Sequence, residues 1–542
     1  MLKNLSHINP DLFPDEETKT LVSFLLNVIE NQQEQLQKQE KLIQELKDEI
    51  ANLKGEQGKP KFRVNKNNEN ISSEKQRNKP KEHRKKGKKD SIEIDKEVIC
   101  KVDKSELPKD AIFKGYQTKV QQNIIFKREN TLFHVAVWYS PSLGKTFRAK
   151  TPEFEGYFGN SLKSFAIVMH NAIDVTHSKL LNIFKFLKIE ISAGSLQNIL
   201  TKDSETFVKE KRDILKAGLS DSYTQTDTTG ANVSGERYWT HIICSEYFAV
   251  FATLRRKGRK NLLYALQGEP ESGLMMTLNQ TTKQYLEYFK ISKTHIFQLE
   301  NIFSKSQIVC ELDFLKIIKT QIPDLAAKKT TFNWVCDAFA FGYYAQQTHY
   351  PLVDILVSDD AAEYKLVGNK QALCWVHDGR FYNKLTPFID YHKKILDHFK
   401  EQYWKFYDSL LDFKQNPLEK KKQEIEQNFD NLFIPNTPYY NLNKEIERTL
   451  KNKEKLLLVL KYPEIPLHNN RSELAARKQV QKRDICLHTV TKLGTQIQDA
   501  FMSIIYTCNL LGINAYTYIM DRINEKNQFY LPDLVLSKIN SV

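Results

Sequence analysis

LVDILVSDD, residues 352–360, is the stretch on which the fold turns. Its branched apolar run has the composition of a buried strand, yet it drives straight into two adjacent carboxylates, Asp359 and Asp360. Neighbouring acids repel, and desolvating them costs several kcal/mol unless a positive charge compensates. Either the pair faces solvent at an ordinary strand end, or it holds a cation. Only a partner elsewhere in the chain decides between the two.

Upstream, SYTQTDTTGANVSGERYWTHIICSEYFAVFATLRRKG reads as three strands, 222–228, 237–244 and 247–254, parted by the turn residues NVSGE and SE. This is an antiparallel meander whose first strand ends in Asp227 within TDTTG. A helix-rich stretch runs from about 260 to 345, after which LVDILVSDD and QALCWVHD supply two more strands. Three antiparallel strands, helical sequence and two further strands follow the order of a ribonuclease-H-like α/β fold. In that layout the strands bearing Asp227 and Asp359 are neighbours. Two such acids and a third from a helix beside the sheet can hold two Mg²⁺ (or Mn²⁺) ions about 3.5–4 Å apart.

The candidate third acid is Glu473 in IPLHNNRSELAARKQV. On a helix Asn469, Glu473 and Arg477 share a face, with Pro466 near the entrance and Leu474 and Ala475 packing inward. Taken singly, Glu473 also reads as an exposed residue paired with Arg477, and Asp227 as a turn residue.

The chain has 542 residues and a formal charge of +14, a balance that favours a polyanionic partner such as nucleic acid over an anionic membrane surface. With 41% hydrophobic residues it has enough apolar side chain for several cores. Its seven cysteines are scattered singly with no zinc spacing, and read as core residues of a reducing compartment. The N-terminus lacks the pattern of a signal peptide, and no apolar run has the length of a spanning helix. The expectation is a soluble, cytoplasmic protein with no membrane partner.

Near the N-terminus, Val22, Ile29, Leu36, Ile43 and Ile50 fall on one heptad position, and Leu25, Leu46 and Leu53 on the other, with Gln32 and Gln39 interrupting the second. Two outcomes fit: a self-associating coiled coil, or one amphipathic helix packed on the chain's own body. Residues 54–90 then carry 14 Lys/Arg against 5 Asp/Glu and almost nothing to bury, so they read as disordered. Lys81, Arg84, Lys85, Lys86, Lys88 and Lys89 form either a phosphate-binding arm or a solvating linker. NIIFKREN and TLFHVAVWYS read as strands of a small β-rich region over 92–150. VTHSKLLNIFKFL and the helix opened by Ser192 as N-cap suggest helix-turn-helix, within a helical region over 151–218. The domains expected are thus 1–53, 54–91, 92–150, 151–218, a catalytic core over 219–485 with helical insertions at about 260–345 and 381–462, and a helical tail over 486–542.

TDTTG, LVSDDAAEY, LCWVHDGRFY, IPLHNNRSELAAR and GTQIQDAFMSIIYTCNLLGINAYTYI, in that order, resemble the insertion-sequence-66 family of bacterial transposases over roughly residues 150–525. The resemblance implies an Asp-Asp-Glu site of Asp227, Asp359 and Glu473, two divalent metal ions, and DNA cleavage and strand transfer. The implied partners are element terminal inverted repeats, target DNA, further copies of the chain and accessory element-encoded proteins, in a nucleoid-associated setting. Asp360, His377, Arg380, Asn469, Asn470, Arg471 and Arg477 are candidates for ligand support or phosphate contact. Trp239 and Trp375 read as core. The chain departs from the family in carrying Thr228 where a glutamate is usual, in lacking a Cys-rich N-terminal segment, and in its long 260–345 stretch. A transposase-derived DNA-binding protein without turnover and a coiled-coil scaffold are the rival expectations.

Overall fold

The structure is a computed structural model and describes residues 7–53, 93–100, 116, 119–125, 127–149, 156–202, 204–303 and 307–541. The basic segment with its candidate phosphate-binding residues Lys81 to Lys89 lies outside them. The chain divides into two compact units, one of Met1–Arg77, Phe154–Leu181 and Ser192–Val542, the other of Asn78–Glu153 and Asn182–Ile191.

At the centre of the larger unit is a five-stranded mixed sheet. Its strands are β1 (Tyr223–Val233), β2 (Glu236–Cys244), β3 (Ala249–Leu254), β4 (Ile355–Ser358) and β5 (Lys370–Leu373), in the order β3-β2-β1-β4-β5. The first three are antiparallel, while β4 runs parallel to both β1 and β5. The five expected strands all form, but β1 continues five residues past its expected end and β5 stops at Leu373, so that Trp375 to Asp378 of QALCWVHD open a helix instead. Ser234 and Gly235, at φ 51° and 83°, make the tight two-residue turn that matches strand twist, so pairing persists to Val233↔Glu236.

One face of the sheet receives two helices. We label the helices that matter below α1 (Glu16–Leu53), α2 (Glu205–Gly218), α3 (Trp375–Asn383), α4 (Asp390–Gln415), α5 (Asn470–Cys486) and α6 (Lys492–Leu511). Ile242, Cys244, Ala249 and Phe251 of the sheet pack with Ala475 and Ala476 of α5 and Met502 of α6. As its sequence implies, α6 buries Ile497, Phe501, Ile504 and Cys508, and it stops at Gly512 in the left-handed conformation. Leu474 does not pack inward: the buried phase of α5 runs through Ser472, Glu473, Ala475, Ala476 and Gln479, which turns Leu474 to the exposed side.

The stretch between β3 and β4 is helical apart from a short ribbon, Met275–Thr277 with Ile308–Cys310. After α3, the second helical stretch builds its own core around Trp375, with Tyr403, Phe406, Phe429 and Phe433 about its ring. Ser192 caps the helix Ala193–Thr201 by accepting from the Ser195 N–H at 3.0 Å. In the smaller unit only Val137–Ser140 and Lys145–Arg148 pair among the described residues, closed by a turn with Gly144 at φ 57°. The strand expected over 123–130 does not form among its described residues. Ile124 and Ile125 are exposed, with no second layer among the described residues to receive an apolar face.

Helix α1 divides its roles along its length. Its first half docks on the body of the protein: Leu26 is buried, and the Glu30 carboxylate accepts from the Phe388 and Ile389 N–H groups at the start of α4. His392 Nδ1 lies 3.1 Å from the same carboxylate, and Asn27 exchanges hydrogen bonds with Pro438 and Tyr440. The second half leaves Leu36, Ile43 and Ile50 about half exposed, at 52%, 51% and 52%. The first half is thus the helix packed on its own chain, and the second keeps an apolar stripe open.

Beneath β3, a buried acid adds an electrostatic cost. Asp499 of α6 accepts from Thr253 N and Oγ1 at 2.7 and 2.8 Å, near the buried Lys211–Glu269 pair. Burial pushes its carboxyl up to about 7 despite Lys211. An unfolded Asp titrates near about 3.9, so between about pH 4 and 7 the folded state holds the extra proton and stability falls as pH rises. Asp499→Asn keeps the Thr253 contacts and is expected to flatten that slope and to melt higher than wild type at about pH 8. An unchanged slope in thermal melts across this range would place the titration elsewhere.

Candidate active site

Register brings the first two acids together. Tyr223, Thr224 and Gln225 pair with Ile355, Leu356 and Val357, so two residues further on Asp359 comes level with Asp227 on the neighbouring strand. Backbone amides hold both carboxylates: the Thr228 N–H donates to Asp227 at 2.7 Å, and the Ala361 N–H to Asp359 at 3.0 Å. Helix α5 supplies the third acid. Its Arg471 N–H donates to the Gln225 side chain at 3.2 Å, and Gln225 lies two residues from Asp227 on the same face of β1. Glu473, in the first turn of α5, is buried above that face.

The carboxyls feel one another. Burial, chiefly, with the charges of Asp359 and Glu473, pushes Asp227 up to about 7. Asp359 is likewise raised, by burial first and then by Glu363 and Asp360. Lys257, which sits 2.5 Å from Glu363, lowers both. Neither Lys257 nor Glu363 stands out in the sequence, where LRRKG reads only as a charged turn. Even so, among the described residues no three His, Cys, Asp or Glu side chains are gathered tightly enough to form a ready metal cluster. The geometry of Glu473 accounts for this: its Oε1 faces His377 Nε2 at 3.4 Å and an Arg380 nitrogen at 3.5 Å. In chemistry the donor set fits a hard divalent cation, since it offers three carboxylates as oxygen ligands, with Lys257 beside the aspartates and Arg380 beside Glu473.

Asp360 points elsewhere. Its carboxylate meets Lys365 at 3.2 Å and Asn452 at 3.3 Å, away from Asp227. Thr228, on the opposite face of β1 from Asp227, accepts from the buried Tyr364 hydroxyl at 3.0 Å, so this departure from the family pattern leaves the three acids untouched. Arg471 is engaged by Glu246 through Nε at 3.0 Å in a pair that stays part-exposed on both sides. Asn469 is the buried N-cap residue of α5, Asn470 is half-buried behind it, and Arg477 is exposed one turn beyond Glu473. Trp375 is core, as its sequence implies, but Trp239 is only half-buried: it borders the open end of the β1–β2 hairpin, beneath Arg237 and Lys257.

What aims His377 and Arg380 at Glu473 is a residue between them that carries no signal in the sequence. Asp378 is buried in α3 and accepts from Tyr403 at 3.1 Å and from Thr449 at 2.9 Å, with Arg448 NH1 at 3.0 Å. The next residue, Gly379, lies flat against Trp404; a Cβ there would come within 2.9 Å of the ring. HDGR is thus a packing solution that clamps one turn of helix.

Residues 344–497 match the model of the transposase IS66 family, and this part of the chain is an IS66 family transposase domain. The match includes Asp359, His377, Arg380 and Glu473; Asp227 lies upstream of it. An uncharacterized protein, y4jO, of Sinorhizobium fredii (strain NBRC 101917 / NGR234) is 29% identical over 322 residues, which is 59% of this chain and 97% of that one. No solved structure matches. Among the described residues no helix is long and apolar enough to cross a membrane.

Proposed function

We propose that the protein cuts and joins DNA strands at the ends of a mobile element, with Asp227, Asp359 and Glu473 as the residues that hold divalent metal ions in a ribonuclease-H-like core. One observation carries this reading: acids 132 and 114 residues apart in sequence converge at one sheet end, and Asp227 is pushed up to about 7 partly by the other two. Mg²⁺ or Mn²⁺, when bound, supplies Lewis acidity toward the phosphodiester and makes a water or a 3′ hydroxyl a better nucleophile.

The chain's own residues set the stage. Thr228 and Ala361 amides fix the two aspartates, so little ordering remains to be done when the substrate arrives. His377 and Arg380 present positive or donor groups beside Glu473, where a phosphate oxygen would lie. Residues 54–90 supply a sequence-independent grip on the backbone of terminal repeats and target DNA. The test is metal-dependent cleavage of labelled DNA carrying the sequences that flank the gene. Cleavage by the wild type and none by the carboxylate variants supports the reading; DNA binding without cleavage at any Mg²⁺ or Mn²⁺ concentration leaves a transposase-derived binding protein.

Two element ends must be held together, and the exposed seam of α1 supports pairing of chains. Replacing Leu36, Ile43 and Ile50 together by Lys puts charge on that seam while leaving the Glu30 dock intact. Light scattering is expected to report a smaller species. An unchanged mass would mean that α1 serves its own chain alone.

A further inference from the structure

At the same end of the sheet, on the face opposite the one that carries Asp227, lies a second cluster of another chemistry. The β1–β2 hairpin runs on past Asp227, so that Gly230 pairs with Trp239 and Asn232 with Arg237. Trp239 therefore stands three residues beyond the level of Asp227, about 10 Å along the strand at 3.3 Å per residue. The Arg237 guanidinium lies 4.4 Å from the indole centroid and Lys257 Nζ 5.6 Å from it. On the next strand Leu254 pairs with Trp239, and the chain passes directly into the exposed Arg255, Arg256 and Lys257.

Two of these cations are already paired, the first being Lys257 with Glu363. Arg255 meets Glu236 at 2.9 Å in an exposed pair, and among the described residues Arg237 and Arg256 form no ion pair. The backbone of the cluster is set: His241 Nε2 lies 3.3 Å from the Arg256 carbonyl. Lys257 joins the cluster to the acids through its pair with Glu363 at 2.5 Å, four residues after Asp359 in the chain. A half-buried indole under a solvent-facing guanidinium is a flat surface that another flat ring can take over, and cations around it match the charge of a phosphate backbone.

We propose that Arg237, Trp239, Arg255, Arg256 and Lys257 form a binding strip for an unpaired DNA strand next to the phosphodiester presented to the acids. One base stacks on Trp239 in place of Arg237, and the freed guanidiniums take the adjoining phosphates. The strip deepens the strand-cutting reading and rests on it.

The test compares a fluorescein-labelled oligothymidylate of about twenty nucleotides with a duplex of equal length, because stacking is tolerant of sequence. Trp239→Ala is expected to weaken oligothymidylate binding about tenfold and duplex binding by less than about twofold, while Trp239→Phe restores most of the loss. Arg256→Ala is expected to lower the slope of log affinity against log salt by about 0.7 for the single strand. Wild-type affinity in Trp239→Ala, or equal losses for both DNAs, overturns the strip and leaves the strand-cutting reading standing. A wild-type protein that binds neither DNA overturns both.

Discussion

Asp359→Asn is expected to reduce cleavage at an element end at least about a thousandfold, a loss of roughly 4 kcal/mol of transition-state stabilisation. The amide has nearly the volume of the acid and can still accept from the Ala361 N–H, so the change removes charge and little else. Asp227→Asn and Glu473→Gln are expected to do the same. The fold should survive all three. Asp227 is pushed up to about 7, so its ionised form is a cost to the folded chain, and the amide should melt no lower than wild type at about pH 8. Asp360→Asn is the internal control. It breaks a part-exposed pair with Lys365 worth under about 1 kcal/mol and should leave cleavage within a few fold. Strand cleavage, DNA affinity and thermal melting of the four variants decide the matter: full cleavage by Asp359→Asn or Glu473→Gln would sink the three-acid site. Loss in Asp360→Asn alone would move the second ligand by one residue.

Asp378→Ala should have the largest effect on stability. It strips the partner from Arg448 and from the Tyr403 and Thr449 hydroxyls inside the helical core, and breaking a buried pair from one side costs about 3–5 kcal/mol. Because Asp378 lies between His377 and Arg380 on α3, the variant should also lose cleavage. Asp378→Asn, which retains one acceptor and the volume, should recover part of both. Urea titration followed by tryptophan fluorescence reads the effect directly, since Trp375 and Trp404 sit in this core. A wild-type midpoint for Asp378→Ala would mean that the aromatic packing alone holds α3 in place.

Much of the candidate site is legible in the sequence. The alternating strands around TDTTG, the apolar run LVDILV and the helical spacing of NNRSELAAR each carry a local periodicity, and periodicity fixes which side of an element a residue occupies. Asp227, the pair Asp359 and Asp360, and Glu473 follow from that and from the order of the strands, and the resemblance of LVSDDAAEY to the family motif points to Asp359. Asp360 cannot be separated from its neighbour in this way, because two consecutive acids at a strand end differ only in the direction the chain takes next. In the structure the Ala361 N–H binds Asp359, while the distant Lys365 and Asn452 draw Asp360 aside. Asp378 escapes the sequence for a similar reason: its partners lie 25, 70 and 71 residues away on helices whose approach no local pattern encodes.

The N-terminal helix and Trp239 mark the same boundary. Heptad spacing makes a helix with an apolar stripe the outcome over residues 22–50, since backbone geometry repeats every few residues whatever surrounds it. What covers the stripe is a matter of contacts between remote segments. Only the docking of Glu30 on the first amides of α4 divides the helix into a held half and a presented half. A tryptophan in a strand is as hydrophobic at an edge as in a core, so composition sends Trp239 inside; the hairpin carries it to the end of the sheet, where two cations and solvent meet it. The sequence alone determined the elements, their order and three candidate acids, because those depend on neighbours a few residues apart. The tertiary structure alone decided which charges meet, which side chains are buried and which face remains open, because those depend on how chain segments hundreds of residues apart are brought into van der Waals contact.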